Sequence, residues 1–145
     1  MDRLPFGIDG LDRIIQGGAP AGSVVLLSGE AGAGAREFMY TTAVMNGLAR
    51  EDGELFDLHY GDLHQQARPP DGIHYISFTA EEEQLRTEIT TSMDGEIARE
   101  GLQSVSFKSL SRQFFHISPV PRDWYAEETL SIQNMAKRHE DRESL

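Results

Sequence analysis

Hydrophobic positions along the chain fall into runs of two kinds. Val24, Val25, Leu26 and Leu27 are consecutive, the pattern of a strand buried on both faces of a parallel sheet. Residues 73–78 alternate instead and are rich in β-branched and aromatic side chains, which predicts a second strand. Between the two, Phe38, Met39, Thr42, Met45 and Leu48 stand at helical spacing, so a helix is expected from Glu37 to Ala49, frayed or ended by Asn46-Gly47. Ahead of the first strand, Leu11, Ile14 and Ile15 suit a short helix capped by Asp9 or Asp12 and ended by Gly17-Gly18.

After the second strand, Thr79 is a natural N-cap for a helix carrying Leu85, Ile89 and Met93, and Glu81, Glu82 and Glu83 suit the positive end of its dipole. Ile97 and Leu102 mark a further short helical stretch. Phe114 to Ile117 reads as a third strand, stopped by Pro119 and Pro121. Trp124 and Tyr125 follow as anchors whose polar tips need partners when buried. Residues 51–72 are rich in Asp, Gly, His, Gln and Pro and predict a long surface connection, and residues 126–145 predict a polar helical tail. Alternating strands and helices predict an α/β fold with parallel strands at 23–28 and 73–78.

Candidate chemistry lies directly after the apolar run. Gly29, Glu30, Ala31, Gly32, Ala33, Gly34, Ala35 and Arg36 join the first strand to the long helix. Strand, glycine-rich loop and helix N-terminus is the layout of a phosphate cradle, in which backbone N–H groups face an anion. Gly29 and Gly34 fit the Gly-x4-Gly spacing of the nucleotide-binding loop. That pattern continues with a lysine for the outer phosphates and a hydroxyl for magnesium, where this chain has Ala35 and Arg36. Other candidates are weaker. His59 and His64, with Asp57 and Asp62, have a spacing that does not place two imidazoles on one helix face, so a solvated loop is favoured over a metal site.

Composition narrows the classes. The 145 residues suffice for one domain with a real core, spanning 1–145. A formal charge of −11 and the lack of a basic stripe argue against nucleic acid as a partner. Eleven arginines against two lysines in so acidic a chain suit a high-salt cytoplasm, where self-repulsion is screened. Cysteine is absent, which excludes disulfides and thiolate metal sites. No apolar run is long enough to span a bilayer and no signal segment is seen, so a cytoplasmic protein without a membrane partner is expected.

Gly7-Ile8-Asp9-Gly10-Leu11-Asp12, Gly17-Gly18-Ala19-Pro20, Gly22-Ser23, the apolar run and Gly29-x4-Gly34 occur in that order within about the first 50 residues. In this the chain resembles the entry to the RecA-type ATPase core, and most closely the KaiC-like branch that includes archaeal signalling and RadA-like proteins. The resemblance implies a three-layer P-loop fold with a mostly parallel sheet, of which the chain covers about the first two-thirds and lacks the C-terminal side. It implies ATP as the nucleotide of the loop Gly29–Arg36. It also implies a pair of water-activating glutamates directly after the aromatic end of the second strand, where this chain has Thr79 and Ala80, and a later magnesium-binding Asp with no counterpart after residue 118. Residues 51–72 are an insertion relative to the family pattern.

Phosphoryl transfer depends on positioned charge, so loss of the lysine, the hydroxyl, the glutamates and the aspartate argues against hydrolysis. No catalytic residue and no metal ligand is assigned. Three readings follow. The first is a non-catalytic regulatory or signalling module that acts through a protein partner or as a homo-oligomer. The second is an ATP-binding protein with weak or no hydrolysis, Arg36 supplying the missing charge. The third is a DNA-binding recombinase relative, which the acidic charge disfavours.

Overall fold

The computed structural model describes residues 1–112. Arg3–Leu4 (β1) and Ala19–Pro20 (β2) form a short antiparallel pair enclosing helix α1, Asp9–Ile14. Neither expected aspartate caps α1, whose N-cap position is held by Ile8 with no side-chain cap. Asp12, within the helix, is instead buried and accepts from Phe6 N at 2.8 Å, Gly7 N at 3.0 Å and the Tyr60 hydroxyl at 2.8 Å. Gly18 has φ of +115°, and a Cβ there would stand 2.0 Å from the Leu4 carbonyl oxygen, so glycine is required where the chain enters β2 beside β1.

The long helix α2 runs from Ala35 to Glu51, through the expected break. Asn46 is buried and donates to Pro5 O at 2.8 Å and Thr42 O at 2.9 Å. Gly47 is in the helix because another backbone lies against it: a Cβ would meet Gly101 O at 2.0 Å, and one on Gly101 would meet Val44 O at 2.3 Å. The buried face therefore runs through Tyr40, Ala43, Val44, Gly47 and Leu48, rotated from the expected one, and Met39 is exposed.

Residues 51–72 are not merely a surface connection. Gly53–His59 is a helix (α3), started by Asp52, whose side chain accepts from Leu55 N at 3.0 Å. Phe56 and Tyr60 stack with centroids 4.7 Å apart and bury with Leu48 in a small second core. An i,i+4 aromatic pair behind an Asp cap is the local signal for this element.

Ile73–Ser77 (β3) and Val105–Ser109 (β4) pair in parallel, Ile73 opposite Val105 and Ser77 opposite Ser109. They are linked through α4, Glu82–Ser92, and α5, Gly95–Leu102, which begins at an Asp94 cap. The main core lies between α2, α4, α5 and this sheet, with Val44, Leu85, Ile89, Ala98, Leu102 and Val105 at its centre. The molecule is mixed α/β, helices packed on a small parallel sheet.

The expected strand at 23–28 does not form. Val24 to Leu27 pair with no strand among the described residues, and Val24 and Leu26 are 97% and 88% exposed. The parallel partner of 73–78 is 105–109 instead. An apolar run becomes a buried strand only where neighbours occupy both its edges and both its faces. Val25 lines a groove with residues of β1, α2 and β3, but no described strand pairs along Val24–Leu27 and the four side chains stay 42–97% exposed. The strand expected at 114–117 and the tail at 126–145 lie outside the described residues.

Candidate functional site

The eight loop residues lie together. Ala33 N donates to Glu30 O at 3.0 Å, closing a turn, and Gly32 and Gly34 take φ of +84° and +89°, where an L side chain would be strained. Gly34 is the N-cap of α2 and offers no side chain to its first turn, and the first ordinary helical bond is Phe38 N to Gly34 O at 2.9 Å. The N–H groups of Ala35, Arg36 and Glu37 have no intrahelical acceptor, as at any helix start. The loop and the first turn of α2 border an open hollow of about 460 Å3 lined by Gly29, Glu30, Ala31, Gly32, Gly34, Ala35, Arg36 and Glu37. Ala33 is the one candidate that does not line it.

Electrostatics at this hollow are mixed. The helix start carries roughly half a positive charge. The Arg36 guanidinium adds a full one, and the carboxylates of Glu30 and Glu37 oppose both. Arg36 is also drawn toward α4, its Nη1 lying 3.8 Å from Glu88 Oε2 across a largely exposed gap. Glu88 is held more firmly from elsewhere: it accepts from the Tyr40 hydroxyl at 2.7 Å and from Gln84 Nε2 at 3.1 Å. The Tyr40 bond is the main reason its carboxyl titrates below the usual range, followed by Gln84. Burial first, and Glu88 second, raise the Tyr40 phenol. Arg36, Tyr40, Gln84 and Glu88 share a smaller hollow of about 150 Å3 with Tyr75, Ser77 and Thr79 at the carboxyl end of β3. The sequence gives no sign of this group, whose members come from two helices and a strand.

The segment that follows β3 is placed differently from expectation. Thr79 does not cap α4; Glu81 occupies the N-cap position. Thr79 N and Ala80 N both donate to Ser77 Oγ, at 3.3 and 3.1 Å, which fixes the turn out of the strand. Glu81 turns toward the end of β4 and accepts from Ser111 Oγ at 2.5 Å. The Ser111 and then the Ser109 hydroxyl lower its carboxyl below the usual range. It does not line the loop hollow. In the 51–72 segment, His64 Nδ1 accepts from Gln66 N at 3.2 Å, and no group of three or more metal-ligating side chains converges among the described residues.

Residues 4–56 match the family model of the KaiC ATPase. The match runs from the end of β1 into the first half of α3 and takes in the whole glycine-rich loop, less than half of the chain, and supports a RecA-like P-loop ATPase scaffold for that part. No curated protein and no solved structure matches the chain. Among the described residues no helix is long and apolar enough to cross a membrane.

Proposed function

We propose that this chain is a non-catalytic regulatory or signalling module on a KaiC/RecA-like nucleotide-binding scaffold, a single domain over 1–145 that works in the cytoplasm with a protein partner or further copies of itself. The observation that carries the reading is the start of α2. Ala35 offers neither charge nor hydrogen bond to a phosphate, and Arg36 offers only donors, so it cannot ligate a cation. The placement of Glu81 on Ser111 adds to it, because among the described residues no carboxylate from beyond β3 lines the loop hollow, and Glu88, the one that approaches Arg36, is held by Tyr40 and Gln84.

The second reading, ATP binding with little or no hydrolysis, draws support from the open hollow beside Arg36 and the unpaired N–H groups of the first turn. Calorimetric titration with ATP, with and without magnesium, combined with phosphate release in molar salt, separates the two. The regulatory module gives no turnover under either condition. Magnesium-dependent turnover at an enzymatic rate by the unmodified chain overturns both readings.

A further inference from the structure

Arg36 is the one residue that lines both the hollow of the loop and the smaller hollow beside it. In the first it is the only cation among the described lining residues, set against the carboxylates of Glu30 and Glu37. An anion placed there gains side-chain charge from Arg36 alone. In the second hollow Arg36 meets a rival acceptor. Glu88 Oε2 stands 3.8 Å from Arg36 Nη1, too far for a hydrogen bond and near enough for attraction. The two side chains are 65% and 35% exposed, so water screens the pair and it opens at little cost.

Glu88 is held far more tightly than Arg36. Its Oε2 accepts from the Tyr40 hydroxyl on α2 at 2.7 Å, and its Oε1 accepts from Gln84 Nε2, one turn away on α4, at 3.1 Å. Tyr40 belongs to the main core, which fixes this end of the contact. An anchored carboxylate thus faces a loosely held guanidinium. We infer, on the nucleotide-binding reading of the loop on which this rests, that Glu88 is a positioning residue for that site. It draws Arg36 aside, and a phosphate group of a nucleotide in the loop hollow must compete with it for the guanidinium. Because the exposed pair is weak, Glu88 sets the affinity within a few-fold range and does not close the site.

Glu88→Gln tests this in the full chain, because glutamine keeps an acceptor for the Tyr40 hydroxyl and loses only the charge. Calorimetric titration with ATP, without magnesium, should show binding tightened about two- to five-fold. Tyr40→Phe alters no charge but frees Glu88 to close on Arg36, and should weaken binding. Arg36→Gln should weaken it too and abolish the gain from Glu88→Gln. Glu83→Gln, the same charge change at an exposed position of α4, should leave affinity nearly unchanged. The inference is overturned if Glu88→Gln does no more than Glu83→Gln, or if Tyr40→Phe tightens binding. It is overturned equally if the gain survives Arg36→Gln, since net charge alone then accounts for it. Where the unmodified chain binds ATP and Glu88→Gln leaves that unaltered, the role of Glu88 falls and the nucleotide-binding reading stands. Where neither protein binds ATP, both fall.

Discussion

The two ends of α2 follow opposite rules. At its C-terminal half the backbone of Gly47 lies against that of Gly101, with Val44 wedged beside them, and nothing can be added without displacing main chain. At its N-terminus Ala35 and Arg36 border an open hollow where side chains can change freely. One helix thus joins a seam set by packing to a site set by chemistry. Stability and ligand binding can be altered separately at its two ends.

Substitution at the seam is the most severe way to test this contrast. Gly101→Val should destabilise the fold by about 3 kcal/mol or more, because the new atoms meet a carbonyl oxygen rather than a movable side chain. Chemical denaturation measures it, and a loss under 1 kcal/mol would mean the helices are not in backbone contact. Next in size is Asp12→Ala. It leaves two backbone donors and the Tyr60 hydroxyl without their buried acceptor and should cost about 2–3 kcal/mol by the same measurement.

Tyr60→Phe removes one of those bonds and should cost about 1 kcal/mol. The same contact predicts a pH dependence. Burial, and then the Asp12 bond, push the Tyr60 phenol upward. The neutral phenol is thus favoured in the folded state. That contribution is complete below the ordinary tyrosine value of about 10 and is lost as pH rises toward the folded one. Urea midpoints that stay flat through alkaline titration would contradict it.

At the loop end, Ala35→Lys with Arg36→Thr should leave stability within about 0.5 kcal/mol. Nucleotide binding should strengthen by about 1.5–3 kcal/mol from the charge-assisted contact, as read by calorimetry. Phosphate release should remain at background, since Thr79 and Ala80 still follow β3. A large stability change with no gain in binding would erase the distinction between the two ends.

The sequence marked the elements whose signals are local. The glycine spacing placed the loop and the start of α2, and alternation placed β3. It misjudged places where a distant partner decides the outcome. Gly47 looks like a helix breaker until α5 lies beside it. Phe56 and Tyr60 are lost in a polar stretch until Leu48 and Asp12 receive them. The run Val24–Leu27 states a demand for burial but cannot say what meets it. At the site, the loop residues were legible, whereas Tyr40 and Glu88 are 48 positions apart and meet only in the folded chain.

The Gly47–Gly101 contact also bears on how this chain can drift over generations. Most core positions tolerate exchanges of one hydrophobic residue for another of similar bulk. Here there is no side chain to exchange, and every alternative adds mass to a space already filled by backbone. A saturation library read out by folding alone should therefore return glycine at both positions, while the alanine and arginine that open α2 vary widely. Where selection on binding is relaxed, substitutions will collect at that opening first, and the seam will be among the last places to record them.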